Sequence, residues 1–209
     1  MLRGCALLAV CLTLSFLSCE ATAGFIKYTF TGTVNDVGQP VFGIQPPLGS
    51  PVTGSFSYDS SLPPGVSDPG LAIYFVQGPF RFVADIDGAT IESSGLLTVT
   101  IQNDPGGLDT FEISTESVVV NGTPIPDSVL DLTLFSILNP FANTDLPGHL
   151  RLEDFNRQRV GLLMNEANSD QVVEFSIDSI NQVPAPKTWA LLLVGLGGFA
   201  AVARRERNV

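Results

Sequence analysis

Ile26-Lys27-Tyr28-Thr29-Phe30-Thr31-Gly32-Thr33-Val34-Asn35 alternates without a fault. Ile26, Tyr28, Phe30, Gly32 and Val34 fall on one side; Lys27, Thr29, Thr31, Thr33 and Asn35 fall on the other. Successive side chains of a strand point to opposite faces, so this stretch is a strand with one apolar and one wet face. The same period returns in Val52, Gly54, Phe56 and Tyr58 against Thr53, Ser55 and Ser57. Further strands are expected at 80–86, 118–120, 160–164 and 172–177, and around Leu97, Val99 and Ile101, Phe111 and Ile113, and Leu130, Leu132 and Leu134. Turn formers separate them. Asp87-Gly88 and Asn121-Gly122 suit two-residue hairpins, because glycine accepts the positive φ of a type I′ turn. Asn103-Asp104-Pro105-Gly106-Gly107 and the stretch 165–170 read as loops. Pro124 and Pro126 argue against a central strand straight after Asn121-Gly122. The stretch 150–156 offers one short helical turn.

No long amphipathic helix interrupts this pattern. About nine to eleven short strands set off by Gly, Pro, Asn and Asp predict an all-β body, an antiparallel β-sandwich or jelly-roll. The expected organisation is a signal peptide over 1–23, a β-domain over 24–182 and a tail over 183–209. An N-terminal signal helix and a C-terminal transmembrane helix at about 188–204 complete the expected architecture.

The N-terminus carries Arg3, an apolar run from Ala6 to Leu17, and Ala21-Thr22-Ala23. This is the order of a secretory signal peptide, with cleavage expected after Ala23. Cys5, Cys11 and Cys19 are the only cysteines and all precede that site. A body without cysteine has no disulfide framework, thiolate metal site or cysteine nucleophile. Of the 21 acidic residues, all but Glu20 and Glu206 lie in the body, against Lys27, Arg81, Arg151, Arg157 and Arg159. The body is therefore far more acidic than the whole-chain charge of −11 indicates. Such a surface disfavours nucleic acid and suits an exported soluble domain.

Chemistry is sparse. His149 is the single histidine, and no Gly-x-Ser-x-Gly elbow or phosphate loop occurs. No catalytic, cofactor-binding or metal residue is assigned. Calcium remains an alternative at Asp85-Ile86-Asp87-Gly88 and at Asn103, Asp104 and Asp109, since it takes oxygen ligands. The body lacks tryptophan, the usual sugar platform; the only one is Trp189 in the tail.

The tail reads Val183-Pro184-Ala185-Pro186-Lys187-Thr188, then an uncharged run from Trp189 to Ala203, then Arg204-Arg205-Glu206-Arg207. As a helix that run would extend about 22 Å, short of a ~30 Å hydrocarbon core unless flanking arginines snorkel. Trp189 suits the outer interface and Arg204, Arg205 and Arg207 the cytoplasmic side. Pro184 and Pro186 keep the approach extended.

These residues resemble the PEP-CTERM sorting signal of exosortase substrates. Val183-Pro184, Pro186, Thr188-Trp189-Ala190-Leu191-Leu192, Gly195, Gly197-Gly198 and Arg204-Arg205 match its parts; Ala185 stands where that family usually has glutamate. The resemblance implies recognition by a membrane exosortase, a cut near 184–186, and delivery to the cell surface or the extracellular exopolysaccharide matrix. Without the cut, the protein stays an anchored ectodomain of the inner membrane. The body is expected to be structural or interacting and not an enzyme. The alternatives are a carbohydrate-binding module for exopolysaccharide and a secreted hydrolase using paired carboxylates.

Overall fold

The computed structural model describes residues 24–104 and 107–184. They form one antiparallel sheet of thirteen strands. In chain order these are β1 Phe25–Val37, β2 Pro51–Asp59, β3 Val66–Asp68, β4 Leu71–Val76, β5 Phe82–Ile86, β6 Ala89–Ser93 and β7 Leu97–Gln102. Then come β8 Asp109–Thr115, β9 Val118–Val120, β10 Thr123–Ile125, β11 Ser128–Ser136, β12 Arg159–Asn165 and β13 Asn168–Val183. The spatial order is β10-β9-β6-β5-β2-β1-β13-β12-β11-β8-β7-β4-β3. First and last strands are thus neighbours at the centre.

The long central pair bends the sheet. Its register shifts between Thr31 and Gly32 and again between Val34 and Asp36, and each such bulge adds local twist. The apolar faces then meet. Phe56 and Tyr58 of β2 lie against Phe111 of β8, with ring centroids 5.9 and 6.3 Å apart, although four strands separate β2 from β8 in the order. Phe30, Phe82 and Phe175 extend the same aromatic cluster. Tyr28, Phe30, Val34, Val52, Phe56 and Tyr58 are all buried, as the alternation requires.

The 137–158 connection covers part of this core. Leu146, Leu150 and Phe155 are buried in it. Tyr58 and Tyr74 hold it through their hydroxyls, which donate to the carbonyls of Pro147 and Thr144, each at 2.8 Å. Its one helical element is a 3₁₀ turn at Leu152–Asp154, within the stretch expected to turn.

The described residues hold more strands than the nine to eleven expected. β4 was not anticipated: Ala72, Tyr74 and Val76 turn inward within a run too uniformly apolar to show a period. β3 and β10 are three-residue edge strands, and Pro124 is accommodated in β10 because an edge strand can leave a donor site empty. The strand expected from residue 80 begins at Phe82, after Gly78 at φ 101° and Pro79. The linker expected at 165–170 shrinks to a tight turn, since β13 resumes at Asn168. Both expected hairpin turns are present, with Asp87 and Gly88 at φ 53° and 83° and Asn121 and Gly122 at 50° and 84°. The stretches expected to form a signal helix and a transmembrane helix fall outside the described residues. Among the described residues no helix is long and apolar enough to cross a membrane.

Candidate functional site at the paired termini

Antiparallel pairing of β1 with β13 brings the two ends of the body together. Lys27 pairs with Val183 and Tyr28 with Gln182. Gly24 is fixed beside them, its carbonyl accepting from the Ser60 amide at 2.7 Å. Of the four residues expected to form a sorting motif, Val183 closes β13 and Pro184 follows it, exposed. Ala21, Ala23, Ala185, Pro186, Trp189, Gly195, Gly197, Gly198, Arg204, Arg205 and Arg207 lie outside the described residues.

The outer face around Val183 combines rings and cations. Lys27 sits between Val183 and Ser57 in the ladder, and the Ser57 amide donates to the Arg81 carbonyl. Phe25 stacks on Phe80 at 5.8 Å and stays 49 % exposed. Arg81 pairs with Glu92 at 3.1 Å, while Lys27 forms no ion pair among the described residues. The neighbouring Asp59 is held below its ordinary pKa by the Ser61 hydroxyl and amide.

On the other side of the same strands, His149 Nδ1 meets Gln182 Oε1 at 2.9 Å. Gln182 Nε2 donates to the Gly148 carbonyl. His149 is exposed and engaged with an amide. Deeper in, burial raises the Tyr58 phenol, and Tyr28 alongside raises it further. The buried Tyr28 hydroxyl, near Tyr58 and the Leu150 backbone, makes no hydrogen bond of ordinary geometry.

Two open clefts lie among the loops. One, of about 670 Å³, is formed by Asp68, Pro69, Gly70, Leu71, Gln102, Asn103, Asp104, Asn143 and Thr144. The other, of about 280 Å³, lies within the 137–158 connection beside His149 and Asp154. No local pattern marks the first, since it joins three loops distant along the chain.

The acidic positions considered for calcium are engaged locally. Asp85 accepts from the Gly88 amide at 3.0 Å and so closes its hairpin. Buried Asp109 accepts from the amides of Asp104 and Phe141 at 3.0 and 3.3 Å, tying two loops together. Among the described residues no three His, Cys, Asp or Glu side chains are grouped to hold a metal ion.

One carboxyl pair stands out for its chemistry. Asp131 of β11 and Glu112 of β8 are diagonal neighbours on adjacent strands, Asp131 opposite Ser114 and Glu112 opposite Thr133, on the side away from Leu132 and Ile113. Burial pushes Asp131 up to about 7 despite the Thr133 hydroxyl at 2.6 Å, and burial raises Glu112 too. Two carboxyls this close disfavour each other's ionised form. Neither residue lines a cleft.

Compared with family models, with curated proteins and with solved structures, the chain gives no match to any of them.

Proposed function

We propose that this chain is an exported cell-surface or extracellular-matrix protein, sorted through its C-terminal tail by a membrane exosortase. One observation carries the reading: the folded body occupies the interval between two addresses. β1 opens at Phe25, two residues beyond Ala23, and β13 closes at Val183, the first letter of Val183-Pro184-Ala185-Pro186. The described ends of the sheet thus fall within a few residues of the two expected cleavage points, most of whose residues lie outside the described ones. We read the doubled-over sheet as the β-sandwich of a structural or interaction module, not an enzyme. Its carboxyl pair is in direct contact and outside the clefts, whereas glycoside hydrolysis needs two carboxyls about 5 Å or more apart flanking a sugar.

Intact mass of the extracellular protein tests the sorting step. The expected product begins at Gly24 and ends near Pro184 to Pro186. A membrane-bound species that keeps a C-terminal tag in cells with an active exosortase defeats the cleavage reading and leaves the anchored form.

A second reading is a carbohydrate-binding module for exopolysaccharide. The 670 Å³ cleft favours it, because amides and carboxylates with no basic residue suit a neutral glycan. Calorimetry of the mature chain against the producer's own polysaccharide decides it. No heat of binding, or binding unchanged by Asn103→Ala with Asn143→Ala, sets it aside.

A further inference from the structure

We infer that the outer face formed by Phe25, Lys27, Phe80, Arg81 and Val183 rests on an anionic bilayer surface while the tail is uncut. The inference builds on the sorting reading above and adds an orientation and a lipid partner.

The first argument is reach. Val183 is fixed in the ladder opposite Lys27. Six peptide units lead from it to Trp189, where the uncharged run begins. Fully extended, they span at most about 20 Å. The headgroup layer itself occupies about 6 Å on each side of the hydrocarbon core. That leaves the face beside Val183 at most about 14 Å from the headgroups, nearer to them than any other part of the body.

The second argument is the character of that face. Phe25 and Val183 are 49 % and 39 % exposed, and Phe25 is stacked on Phe80. One half-exposed ring, Phe25, backed by the partly buried Phe80 and set beside Lys27 and Arg81, matches the headgroup region, where rings sit at the interface and basic side chains meet lipid phosphates. Lys27 and Arg81 are two of only five basic residues between Gly24 and Pro184, so their place beside the tail exit is selective within an acidic body. Elsewhere that acidity repels the same surface, which favours one contact face over others. Glu92 offsets part of the Arg81 charge, and Asp59, opposite Phe25 in the ladder, sets a carboxylate at the edge of the face, so Lys27 is the main electrostatic contributor.

The mature chain 24–209 contains no native cysteine, so single reporters can be placed. Ser61→Cys puts a fluorophore beside the face; Asp87→Cys puts one at the far end of β5, about 20 Å along the strand. Both positions are exposed. The chain is reconstituted into vesicles of one part phosphatidylglycerol to three parts neutral lipid, bearing headgroup quenchers. The label at 61 is expected to be quenched several-fold more than the label at 87. Lys27→Glu with Arg81→Glu, or Phe25→Ser with Phe80→Ser, should reduce that contrast by about half or more, in variants whose melting curves stay cooperative. Retention of the chain after carbonate washing reports separately on the tail. Retention with equal quenching at both positions overturns the contact face and spares the anchor. Loss of the chain on washing, with the contrast present beforehand, overturns the anchor and spares the face. Neither retention nor contrast overturns both.

Discussion

The hydroxyl of Tyr58 donates to the carbonyl of Pro147 at 2.8 Å, across 89 residues of chain. Tyr74 does the same to Thr144. The two phenols hold a connection that has almost no regular structure yet carries Leu146, Leu150 and Phe155 into the core. A hydrogen bond of this kind contributes about 1 kcal/mol net, and more where its loss strands a buried acceptor. Tyr58→Phe and Tyr74→Phe should each lower stability by about 1–2 kcal/mol. The double variant should expose 142–149 to limited proteolysis while the far-ultraviolet spectrum keeps its sheet signal. Cleavage elsewhere first would contradict the tether.

Asp131 predicts the pH dependence of stability. Unfolded, it titrates near its ordinary 3.8; folded, it titrates near 7. Between those values the native state holds a proton that the unfolded state lacks, so stability falls as pH rises. The stabilising contribution is complete below about pH 4 and gone above about pH 7. Allowing for the solvent that reaches this partly buried pair, the loss is on the order of 2 kcal/mol. Asp131→Asn keeps an acceptor for the Thr133 hydroxyl and removes the charge. Melting temperature measured from pH 4 to 8 should decline less in Asp131→Asn than in wild type, with the variant the more stable at pH 8.

Gly54 and Gly161 are small because aromatic rings occupy the space. A Cβ at 54 would lie 2.2 Å from Cζ of Phe30 and 2.4 Å from the Val83 carbonyl. At 161 it would lie 2.1 Å from the Phe175 ring. Those rings are stacked on each other at 6.4 Å and buried, so neither yields freely. Gly54→Ala and Gly161→Ala should each cost about 2–4 kcal/mol in chemical denaturation. Gly88→Ala meets no atom within 4 Å and suffers only from φ +83°, so about 1–2 kcal/mol is expected there. Equal losses at all three positions would mean that ring packing is not the constraint.

Asp109 separates a structural carboxylate from a calcium ligand. Its two oxygens each accept a backbone amide, from Asp104 and from Phe141. Asp109→Ala leaves those donors without their partner and should cost about 1–3 kcal/mol. Millimolar calcium should leave the wild-type melting temperature unmoved, and a chelator likewise, because a ligand that binds only the native state always raises it. A calcium-dependent rise lost in Asp109→Ala would return this loop to the metal sites.

Period 2 makes strands legible wherever one face is wet. It exposed Tyr28, Phe30 and Val34 as core residues before any coordinates, and glycine at positive φ marked the Asp87-Gly88 and Asn121-Gly122 turns. It fails where both neighbours are apolar, as in Leu71-Ala72-Ile73-Tyr74-Phe75-Val76, because no contrast remains to count. Strand order is invisible for a different reason. Nothing local in β1 says that it pairs with β13 some 150 residues away; that choice is made by the fit of Phe30 against Phe175 in the closed core. The patch around Val183 inherits this limit. Phe25 and Lys27 are readable as neighbours, but Arg81 and Val183 join them only through the ladder.

The same pairing sets where the body can be shortened. Ser179 to Val183 contribute five ladder pairs with β1, from Thr31↔Ser179 to Lys27↔Val183. They also bring buried Ile180 and the Gln182 contacts to His149 and Gly148. Pro184 adds no strand residue. A chain spanning 24–184 should therefore unfold cooperatively at nearly the temperature of 24–209. One spanning 24–178 opens half of β1 to solvent and leaves the backbone donors and acceptors of 27–31 unpaired on that side. Several lost ladder bonds and a buried isoleucine amount to about 3–6 kcal/mol, much of the stability of a typical domain. Such a chain should melt well below 24–184 or fail to fold. If 24–178 matched 24–184, the end of β13 would be a dispensable extension, and a processing cut inside it would be tolerated as readily as one beyond Val183.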